Sequence, residues 1–148
     1  MIRQVSIRRG RTGTHDTLEL IYGMGLQGST ERDVQQFVRS FPASQWDGLL
    51  RQFWQFEEEE TETLRSVRLQ ADYLRRSGVM IGDCDDAAVV AVALGYAYSP
   101  NIELHVVAVR SPASHEFEHV FVEIGNLRID PTAPVNADYR NWERMVYP

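Results

Sequence analysis

An α+β fold is what the sequence predicts, on three observations. Apolar residues between 17 and 78 recur at helical spacing. Residues 83–94 form an alanine- and valine-rich run without a polar face. Beyond residue 102 the pattern changes to β-branched runs and strict alternation. Helices, then one buried helix, then an antiparallel sheet is an α+β order. The 148 residues suit one domain with a core that needs no staples. Its helical part covers about 15–80 and its core about 82–135.

The first ten or so residues read as a loose tail or an edge strand. A short helix is expected over 17–24, with Leu18, Ile21 and Tyr22 on one side, and it ends in the glycines of 23–28. Thr30 followed by Asp33 resembles a capping box. Val34, Phe37, Val38 and Phe41 then keep helical spacing until Pro42 stops the run. Ser44 is placed to cap a third helix whose apolar face is Trp46, Leu49, Leu50, Phe53 and Trp54. The glutamates of 57–60 read as a solvated helix end or loop. Leu64, Val67, Ala71 and Leu74 suggest a further helix ending near Gly78.

Residues 83–94 read as a helix buried on all sides, stopped by Gly95. Strands are expected over 102–109 and 117–124, the second with His119, Phe121 and Glu123 on one face. Gly125-Asn126 is a hairpin turn signal. The return strand runs over 127–130, and Pro131 ends it.

Composition narrows the function. With 43% hydrophobic and 24% charged residues, the chain is that of an ordinary globular protein. A net charge of −6 argues against nucleic acid as the main partner. No apolar run is long enough to span a bilayer, and the basic start lacks the apolar stretch of a signal peptide, so no membrane partner is expected. The cluster of Arg3, Arg8, Arg9 and Arg11 reads as a solvated tail. One cysteine excludes an internal disulfide and points to a cytosolic setting. All fifteen basic residues are arginine, so the chain cannot crosslink itself through a lysine isopeptide.

Cys84 is the residue on which the chemistry turns. Gly82-Asp83 breaks the chain direction and caps the buried helix, which places Cys84 at its first position. Free N–H groups and the positive dipole end favour a thiolate there and can receive an oxyanion. Asp83, Asp85 and Asp86 oppose this, because negative neighbours raise a thiol pKa. A nearby imidazolium has to outweigh them. With Gly125-Asn126 as a two-residue loop, Ile124 faces Leu127, Phe121 faces Asp130, and His119 faces Thr132. His119 and Asp130 then share a face at diagonal positions, within side-chain reach. The carboxylate orients the imidazole towards the thiol, as in a triad. Taken singly, Cys84 reads as a small buried hydrophobe, His119 as a half-buried strand residue and Asp130 as a turn residue before proline. Their joint placement favours chemistry.

The segments Gly82-Asp83-Cys84-Asp85-Asp86-Ala87, Leu94-Gly95, His119-Val120-Phe121-Val122-Glu123 and Arg128-Ile129-Asp130-Pro131-Thr132 together resemble the core of transglutaminase-like (papain-related) cysteine proteins. The resemblance is closest to the short versions encoded by phages and prophages, and it covers about 15–135. It implies a Cys84 nucleophile at the tip of the buried helix, with His119 and Asp130 on successive strands as the other catalytic residues. It also implies acyl transfer through a thioester, with no metal and no cofactor. The partners it implies are a protein or peptide substrate and other virion proteins, in the host cytoplasm or the virion. Members of the family range from proteases, amidases and crosslinking enzymes to non-catalytic relatives. Hydrolysis by a peptidase or amidase is the preferred expectation. The alternative is a structural or assembly protein that keeps the fold for binding. Ile129 stands where the family often has an aromatic residue. No glutamine shortly precedes Cys84 to complete an oxyanion hole, which leaves Gln52, Gln55 and Trp54 as candidates.

Metal sites are the rival reading. His115 and His119 are four apart, but Ser111-Pro112 and strand alternation disfavour a helix, and on a strand they are too far apart to chelate together. Asp83, Asp85 and Asp86 lack the glycine spacing of a calcium loop. His105 reads as a strand surface residue and His15 as a helix-start residue.

Overall fold

The computed structural model describes residues 4–6, 10–58 and 63–148. In chain order come β1 (Gln4–Ser6), α1 (Gly10–Gly28), α2 (Arg32–Ser40), α3 (Trp46–Gln52), β2 (Trp54–Phe56) and β3 (Thr63–Arg65). Then follow α4 (Val67–Ser77), β4 (Met80–Gly82), α5 (Cys84–Tyr98), β5 (Leu104–Arg110), β6 (His119–Ile124), β7 (Leu127–Ile129) and β8 (Glu143–Tyr147). The fold is α+β.

A helix without a polar face must be covered on every side. All residues from Ala87 to Gly95 of α5 are buried. α1 and α2 pack on it from one direction and β6 from the other. Fully burying a valine such as Val89 or Val92 contributes roughly 1.5–3 kcal/mol, so this helix anchors both halves of the core. The sheet it lies on has the order β7-β6-β5-β8, antiparallel throughout. Pleat alternation sends Val106, Ala108, Val120 and Val122 towards α5. Val107, Val109 and Phe121 point to the opposite face, where Tyr139 and Trp142 cover them. His119 shares that second face.

The helical half departs from the sequence expectation at several points. α1 begins at Gly10, well before the expected start at 17, and it ends at Gly28, within the glycine stretch expected to end it; Gly25 inside it serves packing. A Cβ on Gly25 would lie 2.4 Å from Val92 Cβ, so the glycine lets the two helices approach. α2 has no side-chain cap: Glu31 is its N-cap residue, and Thr30 Oγ1 donates to the Gln27 carbonyl instead. Ser44 lies within a 3-10 turn (Ala43–Gln45) that leads into α3, and no side chain caps α3. Trp54 belongs to β2 and Leu64 to β3, not to helices. α4 is capped by Ser66, whose Oγ accepts from Leu69 N at 3.2 Å, and it stops at Gly78 with φ +81°. α5 runs a turn past Gly95, which packs against Leu104. β1 pairs antiparallel with β3, so the chain start includes an edge strand. Arg3, Arg8, Arg9, Glu59, Glu60 and the side chain of Arg11 lie outside the described residues.

Four strands were not expected: β2, β3, β4 and β8. β2 and β4 pair in parallel, with Phe56 opposite Gly82. Buried Gln70 satisfies Ile81 from the other side, accepting from its N–H at 2.9 Å and donating to its carbonyl at 2.7 Å. A side-chain amide thereby stands in for a neighbouring strand. β8 completes the main sheet beside β5, beyond the expected core boundary near 135. Among the described residues no helix is long and apolar enough to cross a membrane.

Candidate active site

The tip of α5 is fixed by its cap. Gly82 has φ +154°, and a Cβ there would come within 2.3 Å of Asp86 Oδ2, so only glycine fits the approach. The Asp83 carboxylate accepts from the N–H groups of Asp85 at 3.1 Å and Asp86 at 3.3 Å. Asp86 Oδ2 accepts from Asp83 N–H at 3.1 Å, completing a capping box. Cys84 is the first helical residue, and its own N–H lies outside these capping bonds. The three aspartates do not converge on a common point. Asp83 caps, Asp85 lies with Oδ1 3.7 Å from Cys84 Sγ, and fully buried Asp86 turns inward to Arg65.

The Cys84 thiol is half-buried. Burial pushes its pKa well above the ordinary thiol range, and the negative charges of Asp85 and Asp83 push the same way. The backbone N–H of Val120, the residue after His119, pulls in the opposite direction by hydrogen bonding. Its influence on the thiol puts the sulfur close to the start of β6.

The hairpin has the expected register, with Ile124 opposite Leu127 and Val122 opposite Ile129. Gly125 has φ +56°, and among the described residues no non-glycine residue, Asn126 included, has positive φ, the pattern of a type II′ turn. Extending the ladder by one step puts Asp130 opposite Phe121, diagonal to His119. The His119 Nε2–H donates to Asp130 Oδ1 at 2.6 Å. Asp130 is 3% exposed and the His119 side chain 16% exposed, so this bond is shielded from water. Nδ1 is the ring nitrogen left for another partner.

Residues that sequence reasoning missed hold the pair in place. The Tyr139 hydroxyl donates to Asp130 Oδ2 at 3.1 Å. Its ring lies 5.6 Å from the His119 ring and stacks on Phe121 at 5.2 Å. Asp47 Oδ1, on α3, accepts from Asp130 N–H at 2.6 Å, and Arg51 donates to the Asp130 carbonyl at 2.9 Å. The Asp47–Arg51 pair, four apart on one helix turn, is visible in the sequence as an ion pair. Its target is not, because the contact spans about eighty residues. Tyr139 and Trp142 lie in an irregular segment with no periodicity to betray them.

Cys84 and His119 line one cavity of about 600 Å3, walled also by Thr132, Tyr139 and Trp142. The cavity brings Cys84, His119 and the aromatic cover of Asp130 to one place. It does not include Gln52, Gln55 or Trp54 among its described lining, and Trp54 Nε1 already donates to the Gly82 carbonyl at 3.0 Å. His115 is exposed in the loop before β6, and His105 Nδ1 donates to the Pro148 carbonyl at 2.8 Å. His15 lies inside α1 and not at its start. With Asp16 and Glu19 it forms a group whose ligand atoms lie within 4.8 Å of one another on an exposed surface.

No protein-family model matches the chain, and no curated protein or solved structure matches it.

Proposed function

We propose that the protein is a cysteine-dependent acyl-transfer enzyme of phage or prophage origin with a transglutaminase-like core, acting as a peptidase or amidase. The observation that carries this reading is the 2.6 Å bond to Asp130 made by His119, which lines the same cavity as Cys84. With Nε2 held by the carboxylate, Nδ1 serves as general base. It takes the thiol proton as Sγ attacks the amide carbonyl. The oxyanion of the tetrahedral intermediate is received by the Cys84 N–H at the helix tip. The imidazolium then gives its proton to the leaving amine as the C–N bond breaks, leaving a thioester. Water, deprotonated by His119, adds to the thioester carbonyl, and the acid departs as the thiol recovers its proton. The chain offers no lysine for self-attachment, so crosslinking would need an amine from another molecule, whereas hydrolysis needs only water. The substrate is a protein or peptide, with other virion proteins as partners in the host cell or the particle.

One observation favours the second reading, a binding protein that keeps the fold. Burial and the charges of Asp85, Asp83 and Asp130 push the thiol pKa well up, towards the neutral form. Incubation with a peptide–amide library, read by mass spectrometry, separates the two. Turnover is expected from the native chain and none from Cys84→Ala. Asp130→Asn is expected to lose on the order of a hundredfold or more while staying folded. A native chain that forms neither product nor a trappable acyl-enzyme would leave the binding reading standing.

A further inference from the structure

The charge of the cavity wall points to what enters it. Glu58, Asp83, Asp85, Glu118 and Asp138 line the cavity, and no arginine lines it among the described residues. The carboxylates are not equivalent. Asp138 is neutralised by Arg140 at 2.7 Å, and Asp83 is engaged in the helix cap. Asp85 lies beside the sulfur, whereas Glu58 and Glu118 are exposed at the rim. Glu118 accepts from Ser111 N–H at 2.9 Å, which keeps it ionised to lower pH than usual. Arg128 stands behind the aromatic wall, with its guanidinium 5.2 Å from the Tyr139 ring centre and bonded to the Ala137 carbonyl. Phe56 and Trp142 supply further aromatic surface to the cavity, whereas the Phe117 ring already has the Arg110 guanidinium 5.8 Å from its centre.

We propose that this cleft selects a cationic side chain, a lysine or arginine flanking the scissile amide of a peptide. The enzymatic part of this inference rests on the hydrolase reading; the charge preference of the cleft does not. A concave wall of one sign concentrates ions of the other and excludes like charge. The aromatic faces add attraction for a cation that carboxylates alone would not give. The volume of about 600 Å3 has room for a side chain with its flanking backbone. A cation bound near Asp85 also offsets the charge that disfavours the thiolate, so the preference extends to the chemical step as well as to binding.

The test uses two small thiol reagents on the intact protein. One is the cationic 2-(trimethylammonium)ethyl methanethiosulfonate and the other the anionic 2-sulfonatoethyl methanethiosulfonate. Their rates on Cys84 are divided by their rates on 2-mercaptoethanol. The cationic reagent is expected to be favoured by on the order of tenfold or more. The ratio is expected to fall in the Glu58→Gln, Glu118→Gln double variant and to shrink in high salt. Equal normalised rates overturn the proposal. In a parallel arm, peptide amides with lysine, glutamine or glutamate at each flanking position are compared. Cleavage without preference for lysine also overturns it. A cation-selective thiol with no cleavage of any peptide supports the charge preference and removes the hydrolase reading instead.

Discussion

At Cys84 several influences compete for one proton. Burial, Asp85 and Asp83 hold it on the sulfur, while the Val120 N–H favours its release. The balance favours a neutral thiol, so in the proposed reaction His119 would act as a base during attack and not as the partner of a preformed ion pair. This has a direct kinetic consequence. Alkylation by iodoacetamide proceeds through the thiolate. Its rate in the native chain is therefore expected to keep climbing with pH beyond the ordinary thiol range, with no plateau near neutrality. Asp85→Asn removes a charge whose Oδ1 is 3.7 Å from the sulfur and is expected to shift the curve to lower pH. His119→Ala is expected to slow alkylation near neutral pH. A native thiol that reacts only after unfolding would count against any role for it in chemistry. One that plateaus at neutrality would mean that the imidazolium outweighs the aspartates after all.

The elements that position these residues differ in how far local sequence defines them. The tip of α5 was legible, because Gly82, the Asp83 cap and the apolar run all act within a few residues. The hairpin register was legible too, since a two-residue turn fixes every pairing after it. That is why Cys84, His119 and Asp130 could be placed from the sequence alone. β2, β3, β4 and β8 were not legible, being only three to five residues long. They pair with partners far away in sequence, and tertiary context decides such strands. Asp47 and Arg51 escaped for the same reason, and Tyr139 because its segment is irregular. The cap itself permits a clean experiment. Asp83 Oδ1 accepts both capping bonds. Asp83→Ala is expected to cost about 1 kcal/mol in urea unfolding. Asp83→Asn, which keeps the acceptor oxygen, is expected to lose much less. Equal losses would mean that the charge matters and the capping oxygen does not.

Across the whole molecule, Asp86 ties the helical half to the central helix and makes stability depend on pH. It is fully buried and accepts from Arg65 N–H at 2.7 Å, while the Arg65 guanidinium lies 3.4 Å from its second oxygen. Arg65 ends β3, so this contact links the small β1–β3 sheet to α5. Burial and the nearby Asp83 charge push the Asp86 pKa up to about 8, against the Arg65 and Asp83 N–H groups and the guanidinium, which pull it down. In the unfolded chain an aspartate titrates at about 3.9. The folded state therefore binds the extra proton between these two values. Linkage then fixes the sign: this group's contribution is fully present below the unfolded pKa and is lost as pH rises through the folded one. An asparagine side chain has no titrating proton, so the Asp86→Asn variant serves as the reference. The stability of the native chain relative to that variant is expected to fall steadily from about pH 4 to about pH 8 and to level off above. Urea unfolding of both proteins across that range measures it. A difference that stays flat, or that grows in favour of the native chain as pH rises, would show that Arg65 and the N–H donors outweigh burial and keep Asp86 ionised throughout.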